Sequence, residues 1–240
     1  MEIKAYRKDL SYSYTLGAFP TLELVRAKKD KVDKVIFHSS FTNEKVKKEI
    51  EKIVGINKVI INDNLIAKLS QKENCYVIGV FEKYNDCLSK DSDHMVLMNP
   101  QNMGNLGTMI RSSLGFEIND IAIIKPGVDF FDPKVIRSSM GSIFSLRIAY
   151  FQSLEEYIEK YPLHHLIKFM LKAKKNLRDE YFNQKPLSLV FGNEATGIDD
   201  KYLDQNSVVI KHSDKIDSLN ITNASSIALY EYYSKTHSKQ

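Results

Sequence analysis

Only two cysteines, Cys75 and Cys87, occur in 240 residues. Without CxxC spacing or a Cys/His cluster there is no material for a disulfide framework or a structural zinc site, so no metal site is expected. Cys75, inside NCYVIGVF, reads as a small buried hydrophobe. No apolar run approaches the roughly 20 residues that cross a bilayer. The N-terminal MEIKAYRKDL also lacks the apolar centre of a signal peptide. A cytoplasmic protein without a membrane partner is the expectation. GxGxxG after a first strand is missing as well, which sets a nicotinamide-dependent enzyme aside.

What is present is ordinary in bulk and uneven in detail. Hydrophobic residues make up 43% and charged residues 27%, close to globular averages, so neither a fibre nor a disordered chain is indicated. The net charge of +4 is concentrated at one end: residues 1 to 90 hold 17 Lys+Arg against 12 Asp+Glu, whereas residues 91 to 240 hold 17 against 18. A basic N-terminal part on a near-neutral body hints at a polyanion partner such as RNA. Surface lysines alone would give the same count.

The length allows two domains. Residues 1 to 82 alternate LELVRAKK, KVIFH, NEKVKKEIEKIV, KVIIN, NLIAKLS and CYVIGVF, a small α/β domain. Its best-defined helix starts near Thr42 or Asn43, with Glu44 in the first turn, Phe41 placed to staple onto Val46, and Gly55 as the stop. KYNDCLSKDSDH, residues 83 to 94, has no sustained period and reads as a linker. From 95 to 240 strands such as MVLM, IAII, LRIAY, LSLVFG and VVIK alternate with helices, including one over 133 to 144 with Pro133 at its first position and one from about Asn223 to Lys235. That order implies a mainly parallel sheet with helices on both faces.

Three polar loops follow apolar runs: NPQNMGNLGTMIRSS from residue 99, LVFGNEATGI and KIDSLNITNASS. Ligands bind at the carboxyl ends of strands in such sheets. In the first, Gly104, Gly107, Thr108 and Arg111 share a helical face on which small residues leave a guanidinium room to meet a phosphate. Asn102 and Asn105 stand at the helix start. In the second, Gly192 at a strand end permits close approach to the backbone, and Glu194 either binds a polar group or caps a helix. In the third, Ser218, Leu219 and Asn220 precede the last helix, where serine and asparagine are ordinarily caps.

Taken in order, NxGxxxxxxR, FGNExxG and SLNxxxAxS resemble the three motifs of the SpoU-type ribose methyltransferases of the SPOUT superfamily, and PKVIRSSMGSIF resembles the segment between the first two. The resemblance covers residues 95 to 235, and residues 1 to 82 look more loosely like an accessory RNA-binding domain similar to a small ribosomal protein. It implies transfer of a methyl group from S-adenosylmethionine to a ribose 2'-hydroxyl of RNA, ribosomal RNA before transfer RNA, by a homodimer whose C-terminal domain carries a trefoil knot, an exception to ordinary chain topology. Carried residue by residue, it makes Gly192, Ile210 and Leu219 the cofactor-binding positions. Arg111, Asn105, Glu194, Ser218 and Asn220 become the catalytic set, with Arg111 of one subunit beside the pocket of the other. Arginine stays protonated, so orientation and phosphate clamping suit Arg111 better than base catalysis. Where relatives commonly read Ile-Pro-Met, this chain has Ile210, Lys211 and His212, a departure that bears on the cofactor. The basic run KFMLKAKKNLR, residues 168 to 178, is either a phosphate contact or a solvated face, and His164 and His165 read as structural. A non-catalytic RNA-binding relative with a vestigial pocket is the alternative.

Overall fold

The computed structural model describes residues 3–70 and 74–237. Residues 1, 2, 71–73 and 238–240, which fall within the domains read from the sequence, lie outside the described residues. Two compact units emerge: the chain up to Tyr84 together with Asp129–Ser145, and Asn85–Val128 together with the chain from Leu146 onward.

The first unit is built on β1 (Tyr12–Tyr14), α1 (Ala18–Ala27), β2 (Val32–Phe37), α2 (Glu44–Val54), β3 (Val59–Ile61), α3 (Asp63–Leu69) and β4 (Val77–Glu82). Its four strands lie in the order β1-β4-β2-β3, with only the β2–β3 pair parallel. Local signals act as expected in α2, where the Asn43 side chain accepts from the Val46 amide at 3.1 Å and Gly55 ends the helix at φ 86°. LELVRAKK lies mostly within α1, which buries Leu22, Leu24 and Val25. Cys75 is buried in a core with Tyr12, Tyr14, Ile36, Ile66 and Ile78.

The segment Asp129–Ser145, read from sequence as part of the C-terminal domain, groups with this first unit. Phe131 and Phe144 stand edge-on to Phe81 at 5.8 and 5.2 Å between ring centroids, and Ser13 Oγ donates to the Phe131 carbonyl. The helix expected over 133 to 144 is shorter. Helix α5 (Pro133–Ser138) stops because Met140 and Gly141 take φ values of 53° and 82°, which an α-helix cannot continue through. Gly141 sits against α1, where a Cβ would lie 2.8 Å from Glu23 Cβ and 3.1 Å from Pro20 Cα.

The second unit comprises β5 (His94–Met98), α4 (Met103–Gly115), β6 (Asp120–Ile124), β7 (Arg147–Phe151), α6 (Leu154–Lys160), β8 (His165–Phe169), β9 (Lys175–Asn176), β10 (Leu187–Phe191), β11 (Ser207–Val209) and α7 (Ile221–His237). Every strand pairing is parallel, in the order β7-β6-β5-β10-β8-β11-β9. From β5 the chain builds outward through β6 and β7, then returns to insert β10 between β5 and β8. The five residues of β6 and of β10 are all buried, as strands covered on both faces must be.

Residues 85 to 94 are not a free linker. Leu88 enters the second unit's core, and the carbonyls of Ser89 and Lys90 receive the buried imidazoles of His94 (Nε2, 2.7 Å) and His164 (Nε2, 3.0 Å). The other ring nitrogens reach Tyr157 OH (His94 Nδ1, 2.7 Å) and Ser188 Oγ (His164 Nδ1, 2.9 Å), and Tyr157 OH is 2.6 Å from Ser188 Oγ. The network sits at the amino ends of β5, β8 and β10, and it makes His164 structural, as read from the sequence. Burial, with the His164 ring beside it, pushes His94 down to about 4, and burial also lowers His164. In the unfolded chain histidine takes up its proton near 6.5. Between that value and about 4 the unfolded state therefore binds the proton that folded His94 refuses, and stability must fall with falling pH. Denaturant midpoints at pH 7.0, 5.5 and 4.5 test this. A midpoint that stays constant across them would contradict the neutral pairing.

Candidate active site

The carboxyl ends of β8, β10 and β11 open into a cavity of about 390 Å³. Of the residues predicted from sequence, Gly192, Glu194, Ile210, Ser218, Leu219 and Asn220 all line it. Phe169 and Phe191 stack at 4.5 Å with their planes 3° apart, and Met170 and Val208 add to the apolar part of the lining. Glu194, Ser218 and Asn220 supply polar groups to the same lining. A slot of this size and polarity suits a small molecule with a flat apolar portion and a polar portion.

Gly192 also has a reason to be glycine within its own chain. A Cβ there would lie 2.4 Å from the Gly197 carbonyl carbon and 2.7 Å from both Gly197 Cα and Ile198 N. The motif-two loop folds back onto the strand end, and the missing side chain is the space it occupies. Gly197 closes the turn at φ 68°. Asn193, which sequence reasoning passed over, holds this loop together. Its Oδ1 accepts from the amides of Ala195 at 2.7 Å and Thr196 at 3.1 Å, while its Nδ2 donates to the Asn99 carbonyl at 2.9 Å. Asn99 itself adopts φ 46°, a left-handed conformation that asparagine tolerates. The only sequence signal for Asn193 was its place beside Glu194, because its main partner lies 94 positions away.

Asn105 joins the first loop to the pocket: its Nδ2 donates to Glu194 Oε1 at 2.9 Å. Asn102 caps α4 by accepting from the Asn105 amide at 3.0 Å. Asn220 performs the structural duty expected at a helix start, its Oδ1 accepting from the Thr222 amide at 2.9 Å and from Thr222 Oγ1 at 2.6 Å. Arg111 is different. It lies exposed on α4, outside the lining of the cavity, so within one chain it is not brought to the Gly192, Ile210 and Leu219 pocket.

Helix α4 packs beside α7 through Ser112 and Ser226, whose hydroxyls are 3.3 Å apart, and through Phe116, which meets Tyr230 and Tyr233. On α7, Ile227 and Tyr230 remain exposed at 43% and 61%. The basic run is largely neutralised: Lys168 is buried against Asp204, Lys175 reaches Glu180, and Lys172 pairs with Asp200.

The family profile described as SpoU rRNA Methylase family matches residues 93–230. An uncharacterized tRNA/rRNA methyltransferase of Synechocystis sp. is 33% identical over 141 residues, 57% of this chain and 51% of that protein. The match therefore spans about half the length of that relative. The 23S rRNA (uridine(2479)-2'-O)-methyltransferase of Streptomyces viridochromogenes is 27% identical over 200 residues, 77% of this chain and 69% of its own. Among solved structures, the SpoU methyltransferase AviRb of Streptomyces viridochromogenes in complex with AdoMet superimposes with a TM-score of 0.81 at 23% identity, covering 95% of this chain and 92% of that one. At that identity the likeness speaks for the α/β fold.

Proposed function

The chain belongs to the SpoU rRNA methylase family, and from that premise we propose that it transfers a methyl group from S-adenosylmethionine to a ribose 2'-hydroxyl of structured RNA, ribosomal RNA before transfer RNA. The observation that carries the reading is the cavity: motifs two and three, far apart in sequence, line one slot, and Asn105 of motif one hydrogen-bonds Glu194 at its edge. The stacked Phe169 and Phe191 with Val208 and Leu219 fit an adenine, and the polar loop side fits the ribose and amino acid portions.

When bound, the cofactor supplies a methyl group on a sulfonium, ready for in-line displacement. The chain's own residues hold and align. Gly192, Ile210 and Leu219 contribute backbone and apolar surface to the cofactor side. Asn105 and Glu194 fix the loop edge against each other. Arg111, a permanently protonated fork of donors, orients the RNA by its phosphate and keeps the ribose hydroxyl in line, since positioning is a large part of the barrier for a weak nucleophile.

Because Arg111 stands apart from the cavity of its own chain, the complete site is a homodimer's, with Arg111 facing the pocket of the partner. The exposed Ile227 and Tyr230, on the helix packed beside α4, support an interface there. The trefoil knot belongs to the same proposal, as does RNA binding by the basic N-terminal unit. The test combines two measurements: calorimetric titration with S-adenosylmethionine, and mapping of 2'-O-methyl positions in RNA from cells with and without the gene. No heat at millimolar cofactor would favour the non-catalytic RNA binder, and unchanged methylation maps would remove the RNA assignment.

A further inference from the structure

His212 lines the cavity two residues beyond Ile210, and its Nδ1 lies 2.9 Å from the Ile210 carbonyl oxygen. A carbonyl can only accept, so Nδ1 is the nitrogen that carries hydrogen, and the neutral ring keeps its lone pair on Nε2. Among the described residues Nε2 has no hydrogen-bond partner. The side chain is half-buried, so this acceptor is within reach of a donor on a bound ligand.

The identity of that donor follows from the residues that share the cavity with His212. The chain leaves β11 at Val209, and β11 pairs with β8, the Met170 amide donating to the Val208 carbonyl at 3.0 Å. Phe169, Met170, Phe191 and Val208 line the same cavity as His212 and suit a flat heterocycle, while Glu194, Ser218 and Asn220 add the polar groups that suit the rest of a nucleoside cofactor. The donor on an adenine edge is the exocyclic amine.

We propose that His212 is a base-reading residue: its Nε2 accepts a hydrogen bond from the 6-amino group of the adenine ring, making the pocket selective for a 6-amino over a 6-oxo purine. The inference rests on the methyl-transfer reading and adds to it how this chain reads the cofactor's base. It also assigns a role to the Lys211-His212 departure, of which Lys211 is exposed and outside the lining. A 6-oxo purine would set oxygen against the imidazole lone pair and leave both acceptors unpaired, and sites that expect a donor reject such analogues strongly.

The test measures binding of S-adenosyl-L-homocysteine and S-inosyl-L-homocysteine, which differ in that group, to wild type, His212→Phe and His212→Gln, each checked for an unchanged thermal midpoint. Wild type is expected to prefer the adenosyl compound by a factor of ~30. His212→Phe, keeping a flat ring without an acceptor, should bind the adenosyl compound ~10-fold more weakly and reduce the preference to ~3 or below. His212→Gln, whose amide oxygen accepts, should keep most of the preference. A His212→Phe protein with the wild-type preference overturns the proposal alone. Wild type that binds neither compound takes down the methyl-transfer reading first.

Discussion

Replacing Arg111 by alanine should lower single-turnover methyl transfer by ~10³-fold while leaving cofactor binding and stability unchanged. The magnitude follows from what a lost electrostatic positioning group costs, about 10² to 10³ in rate for one donor. The separation of effects follows from placement. Arg111 is exposed and outside the cavity lining of its own chain, so its removal takes nothing from the walls that would hold the cofactor. A solvent-exposed position without a buried partner costs stability only within about 0.5 kcal/mol. Arg111→Lys keeps the charge and loses the planar fork, and it should recover only part of the rate because a point charge cannot clamp a phosphate bidentately. Single-turnover transfer of labelled methyl to RNA, beside calorimetry with S-adenosylhomocysteine, reads both halves. If Arg111→Ala transfers methyl at the wild-type rate, the orienting role is wrong. Equal loss of cofactor binding would instead place Arg111 on the cofactor side.

The second large effect is expected at Gly192, through the opposite route. An alanine Cβ would be driven to 2.4 Å from the Gly197 carbonyl carbon. The obstacle is backbone, with no flexible side chain to swing aside, so either β10 or the whole Asn193–Gly197 turn must move. Overpacking of this kind costs about 1 to 3 kcal/mol or more. Gly192→Ala should therefore fall near ~3 kcal/mol of destabilisation and reduce cofactor affinity by ~100-fold or more, because the displaced turn is one wall of the slot. Gly115→Ala is the control: nothing lies within 4 Å of its added Cβ, so it should match wild type in both measurements. Denaturant midpoints and cofactor titration on the two variants separate a steric cause from a general intolerance of alanine. Wild-type affinity in a stable Gly192→Ala protein would mean that the turn gives way without disturbing the pocket.

Gly192 also illustrates how much of the site was legible in advance. Its place at a strand end marked it as important, and the reason offered, room for a ligand, was chemically sensible. The structure adds a second reason, since the space a Cβ would take is filled by Gly197, on a turn held by Asn193 through a bond to a carbonyl 94 positions earlier. The link between Asn105 and Glu194 spans 89 positions and is likewise invisible to local spacing. His94 and His164 show the same limit in the fold. Their partners are the carbonyls of Ser89 and Lys90 in a stretch whose lack of period made it look like a linker.

From the order of residues alone came the α/β class with its mainly parallel sheet, the caps and stop of α2, the burial of Cys75 and the three motif loops, of which the second and third, with Ile210, supply six residues that line one cavity. Each of these is written in short-range terms: periodicity, a capping side chain, a glycine at a turn, a motif a few residues long. Tertiary structure alone decided that Asp129–Ser145 packs with the first unit, that residues 85 to 94 supply partners to buried imidazoles, and that Arg111 stands apart from its own chain's cavity. Those outcomes depend on which distant strands become neighbours, above all on β10 inserting between β5 and β8. Such neighbours are chosen by burial and hydrogen-bond satisfaction summed over the whole sheet, to which no short window of sequence has access.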